Sequence, residues 1–169
     1  PRADAPRRPL GRRAARVVKL TFLSVGKERS GLFLPGVEEY SGRLSRAHKV
    51  QLVELPESRS TGAQAKEDEG QRLLSKLSPR DVLVALDERG KHLSSVDFAK
   101  WLGKQQDAAR DVAFVIGGDE GLAEAVRAKA GLVLSLSAMT LPHRLARLVL
   151  LEQVYRAFSI LRGEPYHKA

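Results

Sequence analysis

Residues able to do chemistry collect in three short stretches of this sequence, each directly behind an apolar run. Asp87-Glu88-Arg89-Gly90 follows Val82–Leu86, and Gly117-Gly118-Asp119-Glu120-Gly121 follows Val112–Ile116. Ser137-Ala138-Met139-Thr140-Leu141-Pro142-His143 follows Leu132–Leu136. If the apolar runs are strands of an open parallel sheet, all three loops lie beyond the carboxyl ends, where such sheets collect ligands. Gly117 and Gly118 permit close backbone approach, and Gly121 sits at the expected start of a helix. Alone, a Gly-Gly-x-x-Gly pattern says little, since a tight turn is its more common cause. Its spacing is not that of a dinucleotide fingerprint, and no P-loop Lys-Ser/Thr pair is present.

Conventional hydrolytic machinery is hard to assemble. The four histidines, His48, His92, His143 and His167, have no metal-ligand spacing, so no metal is expected. No serine occupies a nucleophile-elbow pattern. Cysteine is absent, which removes disulfides, thiolate nucleophiles and Cys-based metal sites. Asp119 and Glu120 are adjacent, so on a helix they would diverge and make a poor acid/base pair; solvated charges at a helix start are the plainer reading.

The elements that must position these loops follow from hydropathy. Val17–Val25, Val50–Leu55, Val82–Leu86, Val112–Ile116 and Leu132–Leu136 are expected strands, the last four rich in Val and Leu and read as suited to burial on both faces. Between them lie expected helices at Val37–His48 (after a Pro35-Gly36 break), Ala63–Leu77, Ser94–Asp107 with a serine cap, Gly121–Lys129 and His143–Leu161. This alternation predicts an α/β fold, a parallel-rich sheet with helices on both faces. The last helix carries Leu145, Leu148, Val149, Leu151, Val154, Tyr155, Phe158 and Leu161, more than one apolar stripe. Deep burial within the chain would explain that; packing of the second face on another subunit is the preferred expectation.

The chain has 169 residues, long enough for one domain with a real core. Lys+Arg number 29 against 20 Asp+Glu, a formal charge of +9. Residues 1–16 hold six arginines against Asp4, with three prolines and Leu10 as the only large apolar residue, and read as a flexible basic tail ahead of a domain over residues 17–169. A basic body fits an anionic partner. Apolar stretches such as Leu148–Leu151 fall far short of the roughly 20 residues that span a bilayer, so a soluble, cytoplasmic protein with no membrane partner is expected.

Longer motifs then carry a family likeness. Phe114-Val-Ile-Gly-Gly-Asp-Glu-Gly-Leu122, Leu134-Ser-Leu-Ser-Ala-Met-Thr-Leu-Pro-His143, Leu151-Glu-Gln-Val-Tyr-Arg-Ala-Phe158 and Arg162-Gly-Glu-Pro-Tyr-His-Lys168 resemble the RlmH family. Its members are ribosomal large-subunit pseudouridine N3-methyltransferases of the SPOUT (α/β-knot) superfamily. The likeness runs from Val17 to the C-terminus, and the Ser-x-Met-Thr-x-Pro-His and Pro-Tyr-His stretches are its most specific parts.

The resemblance implies a C-terminal trefoil knot, a rare exception to ordinary chain threading, and a homodimer. It further implies S-adenosyl-L-methionine as methyl donor and large-subunit rRNA in the ribosome as substrate. By position it assigns the cofactor to Leu86, Gly117, Leu136, Ser137, Ala138, Met139, Thr140 and Leu141. Backbone groups there could read an adenine edge, with Leu86, Leu136, Met139 and Leu141 against its faces. His143 is the expected positioning or proton-handling group, although a histidine after proline at a helix start can simply bond the backbone. Tyr166 and His167 would orient the flipped base from the dimer mate. Arg144, Arg147, Arg156 and Arg162 are the candidates for phosphate contacts. With one Trp, three Tyr and five Phe there is little stacking platform for single strands, so shape and charge of a structured ribosomal surface are expected to guide recognition. The rivals are a non-catalytic ribosome-binding SPOUT protein and a SPOUT methyltransferase acting on another RNA base.

Overall fold

The computed structural model describes residues 15–168. The tail expected over residues 1–16 therefore lies, up to residue 14, outside the described residues. In chain order the elements are β1 (Lys19–Val25), α1 (Leu34–Ser45), β2 (Lys49–Leu55), α2 (Gly62–Ser75), β3 (Asp81–His92), α3 (Ser95–Asp107), β4 (Asp111–Ile116), α4 (Glu124–Lys129), β5 (Leu132–Ser135) and α5 (His143–Arg162). The five strands form one parallel sheet in the order β2-β1-β4-β3-β5. Helices α1 to α4 are the crossovers that parallel pairing demands, and α5 follows the last strand.

Strand alternation divides the core. Leu20, Phe22, Val84 and Phe114 point to one face, where α1, α3 and α5 supply Val37, Phe98, Leu150, Val154 and Phe158. Phe22 stacks on Phe114 at 5.0 Å, with Phe98 edge-on to Phe114. Leu23, Val25, Ala85 and Val115 point to the other face, against Leu73 of α2 and Val126 of α4. The expected helices on both faces are thus present.

Several expected details change. β2 is an edge strand, and Leu52 is 37% exposed, so the apolar run Val50–Leu55 is not buried on both faces. Pro35 lies in the first turn of α1 rather than breaking the chain before it, where its missing N–H costs nothing. Asp87–Gly90 is not a loop: β3 continues to His92 through a register shift against β5 between Leu86 and Lys91. Gly90 makes this possible, because a Cβ there would lie 2.7 Å from the Val133 carbonyl oxygen.

Gly121 does not start a helix. It closes a tight turn with φ +80°, its N–H donating to the Gly118 carbonyl at 3.0 Å, and α4 begins at Glu124. Asp119 and Glu120 therefore ride on the turn instead of a helix. Ser94 does cap α3, accepting the Asp97 N–H at 3.0 Å.

α5 lies between α1 and α3. Leu148 packs over Gly36 of α1, Tyr155 meets Tyr40, Leu161 covers Gly103, and the Ser95 hydroxyl donates to Gln153 Oε1 at 2.6 Å. Burial within the chain thus accounts for much of the doubled apolar surface; Leu145 and Val149 stay half-buried outside the two core clusters. Gly163, at φ +69°, ends the helix in the left-handed region and turns the last residues back. Among the described residues no helix is long and apolar enough to cross a membrane.

Candidate active site

The C-terminal ends of β3, β4 and β5 open into one cleft of about 1020 Å³. Leu86, Gly117, Leu136, Ser137, Met139, Thr140 and Leu141 all line it, and Ala138 is exposed in the same loop. Gly117 is obligatory for local reasons: a Cβ there would stand 2.6 Å from the Gly121 carbonyl oxygen. The third loop is shaped by its own serines. Ser135 Oγ donates to the Ser137 carbonyl at 2.9 Å, and Ser137 Oγ accepts the Met139 N–H at 2.9 Å. That turn leaves Met139 78% exposed at the mouth. Thr140 Oγ1 donates to Glu88 Oε2 across the cleft at 3.3 Å.

Asp87, at the point where β3 bulges, fixes the cleft wall. Its nearly buried carboxylate takes bonds from Arg89 and from Arg127 Nη1, the latter at 3.0 Å. Burial alone would raise its pKa. The Arg89 side chain and N–H, together with Arg127, outweigh burial and hold the carboxyl below the usual range.

His143 is the first residue of α5 and faces the cleft. Its Nδ1 lies 3.4 Å from Asp119 Oδ1, with the imidazole 18% and the carboxylate 83% exposed. Its Nε2 is buried with no hydrogen-bond partner and abuts Gly26, where a Cβ would come within 2.9 Å of it. Gly26 has φ +93° and ends β1, so only a residue without a side chain fits between strand and imidazole. Arg144 turns the other way and donates to the Lys27 carbonyl at 2.9 Å, pinning the segment that brings Ser30, Leu32 and Phe33 to the cleft mouth.

The remaining expected RNA contacts are engaged within the chain. Arg147 is buried and pairs with Glu54 Oε1 at 2.7 Å, its side chain 9% exposed. Burial would raise Glu54, but the Arg147 guanidinium and the Glu28 N–H hold it below its ordinary value. Arg156 pairs with Glu152, and Arg162 pairs with Glu164 at 2.6 Å. Arg147 in particular has no free face for a phosphate.

Tyr166 and His167 do not line the cleft of their own chain. The Tyr166 hydroxyl donates to Glu152 Oε1 at 3.0 Å and meets the Tyr40 hydroxyl at 3.2 Å, while His167 Nδ1 lies 3.2 Å from Arg156. Burial, then Tyr40 and Glu152, push the Tyr166 phenol above its normal pKa, so it is a hydrogen-bond donor rather than a base.

Two site features were missed in the sequence. The Asp119–His143 pair joins residues far apart in the chain, and no spacing rule announces it. Glu69 of α2 is also buried beneath the glycine turn. One oxygen accepts the Ser58 N–H at 2.9 Å, and the other, unpartnered, lies 3.2 Å from where a Gly118 Cβ would be. The one hint was a glutamate preceding a glycine inside an otherwise amphipathic helix. Among the described residues no group of three His, Asp or Glu side chains could hold a metal. The cleft can therefore grip an elongated ligand by backbone and apolar walls, with one imidazole at its rim for a proton.

Comparison with known proteins agrees with this geometry. A family model described as "Predicted SPOUT methyltransferase" matches residues 18–167. A protein of Anaeromyxobacter sp. (strain Fw109-5) named Ribosomal RNA large subunit methyltransferase H is 54% identical over 153 residues, 89% of this chain and 100% of the relative. The protein of that name from Trichlorobacter lovleyi is 47% identical over 152 residues, 89% and 99% of the two chains. A probable methylase family protein from Haemophilus influenzae Rd KW20 matches in structure with a TM-score of 0.52, over 91% of this chain and 71% of its own. At 12% identity that last likeness speaks to the fold alone.

Proposed function

The chain belongs to the SPOUT methyltransferase family, among the large-subunit ribosomal RNA methyltransferases H, and from that membership we propose its reaction. It transfers a methyl group from S-adenosyl-L-methionine to N3 of a pseudouridine in 23S-type large-subunit rRNA, on the assembled ribosome in the cytoplasm. The observation that carries the reading is the convergence of Leu86, Gly117 and the 136–141 loop on one cleft.

The residues present fit the donor. Gly117 brings bare backbone to the cleft lining, and Leu86, Leu136 and Leu141 offer half-buried apolar walls for a flat base. When bound, S-adenosylmethionine supplies an electrophilic methyl group on a sulfonium. Pseudouridine N3 lies between two carbonyls and carries a proton, so its lone pair is available only once that proton has left. His143 receives it at Nδ1, the nitrogen on the Asp119 side, because Nε2 is walled in by Gly26. Arg144 anchors the segment that carries Ser30, Leu32 and Phe33 to the mouth.

Tyr166 and His167 enter the reaction from a second copy of the chain. Their distance from their own cleft and the half-buried Leu145 and Val149 on α5 support a homodimer. The trefoil knot belongs to the same reading. Of the expected phosphate contacts, Arg144 is placed at the cleft.

The test is to incubate ribosomes lacking the modification with the protein and labelled donor, then map rRNA nucleosides by mass spectrometry. N3-methylpseudouridine is the expected product. A methyl group on another base, or cofactor binding without transfer, would overturn the assignment. The His143→Ala variant should lose about 100-fold in methylation while keeping donor affinity within about threefold; unchanged turnover removes His143 from the reaction.

A further inference from the structure

At the end of the sheet opposite the cleft, a row of cations crosses all five strands. In sheet order, Lys49 and Lys19 are the first residues of β2 and β1, Arg110 and Arg80 immediately precede β4 and β3, and Lys129 ends the helix feeding β5. All five are exposed, and none forms a salt bridge among the described residues. Lys19 and Lys49 are register partners, as are Asp111 and Asp81, which sets Arg110 beside Arg80. At about 4.8 Å per strand the row is about 19 Å long.

Ordinary structural roles do not account for it. Cations favour helix C-termini, which covers Lys129, but the other four stand at strand starts. Like charges directly opposed on a sheet, as Lys19 and Lys49 are, cost stability. Of the nearby acids, Asp111 and Asp81 are turned to the backbone, Asp111 Oδ1 accepting the Lys19 N–H at 2.9 Å and Asp81 Oδ2 the Ser78 N–H at 2.8 Å, while Asp107 stands exposed at the end of α3. The arginine-rich first residues join the body at this same end, where Gln106 Nε2 donates to the Arg16 carbonyl at 2.8 Å.

We infer that this basal row is a second RNA-binding surface, which takes the phosphate backbone of a helical segment of ribosomal RNA while the cleft takes the target nucleotide. The inference rests on the reading of the cleft as an rRNA methyltransferase site. A nucleic-acid duplex presents a negative charge about every 1.7 Å of axis, so a row of this length meets several phosphates at once. A lipid surface would ask for an apolar face, and the exposed large apolar side chains near this end are Val17 and Leu161.

The test compares the full chain with the Lys49→Gln, Arg80→Gln, Arg110→Gln, Lys129→Gln variant. Binding to a helical fragment of large-subunit rRNA is followed across salt concentrations, and ribosome methylation is measured in parallel. The slope of log K against log salt should become shallower by about 3, at roughly 0.7–0.9 per lost phosphate contact. KM for ribosomes should rise about tenfold or more, with kcat and donor affinity within about twofold. Exchanging each Lys for Arg and each Arg for Lys should restore the slope. An unchanged slope and KM overturn the inference, as does lost binding to phosphatidylglycerol vesicles with the RNA slope intact. If the parent chain methylates no ribosome, the reading of the cleft fails, and the RNA slope still decides the basal row. Should the fourfold variant not fold, Arg80→Gln with Arg110→Gln should show about half the change in slope, and no change overturns the row.

Discussion

At the C-terminal end of the sheet, His143 Nε2, Glu69 Oε2 and Arg144 Nε are buried without hydrogen-bond partners. At the N-terminal end, Asp81 and Asp111 bond backbone N–H groups, His48 Nδ1 accepts the Val18 N–H at 3.2 Å, and the cations stand in solvent. A buried polar atom left unpaired costs about 1–3 kcal/mol, so the two ends are held to different standards. Unpaired buried atoms gather under the cleft loops, whereas at the basal end Gln105 Oε1 is the one such atom among the described residues. The contrast is one of degree, between an end where close backbone approach leaves polar atoms unpaired and an end where most are paired.

The sharpest way to break the contrast is Gly117→Ala. Its Cβ would press on the Gly121 carbonyl oxygen, and displacing that turn should weaken donor binding about 1000-fold, roughly 4 kcal/mol by calorimetry. Next, Arg147→Ala should cost about 3 to 4 kcal/mol in denaturant unfolding, because Glu54 is left in place without its partner. RNA affinity should stay within about twofold; a large drop would restore Arg147 as a phosphate contact.

At the basal end, His48 supplies a pH test. Burial, and then the Arg162 charge, lower its pKa from 6.5 to about 4. The folded protein thus prefers the neutral ring, whereas the unfolded chain binds the proton first. This stability is fully present above pH 6.5, drains away as pH falls towards 4, and amounts to about 3 kcal/mol. His48→Phe should flatten stability over that window, and an unaltered profile would assign the slope elsewhere. The smallest effect is expected from Ser94→Ala, which removes the α3 cap and should cost about 1 kcal/mol by thermal unfolding.

The order and type of the elements were legible because each apolar run is short, rich in Val and Leu, and bounded by polar stretches. Edges and contacts across the chain were not. Asp87-Glu88-Arg89-Gly90 has the composition of a turn, yet Gly90 is a strand residue because β5 passes too close for any side chain. Val50–Leu55 is expected to be buried on both faces but lies at the sheet edge, and Gln51 and Glu54, which interrupt its apolar residues, are the signal that fits an edge. The cleft-lining positions came from motif resemblance, whereas the Asp119–His143 pair, the Gly26 notch and the Arg147–Glu54 pair exist only once β1, β2, β4 and α5 are brought together.

The strand order also sets a timetable for synthesis. β1 and β4 are neighbours at the centre of the sheet, yet Lys19 and Asp111, which bond one another there, are 92 residues apart. At about 5–20 residues per second, a nascent β1 waits roughly 5 to 20 s for that partner. Through the delay β2 can cover one of its edges while the other, lined by Leu20, Phe22 and Leu23, stays adhesive. The nascent chain therefore carries an unpaired edge of its central strand until β4 has been made.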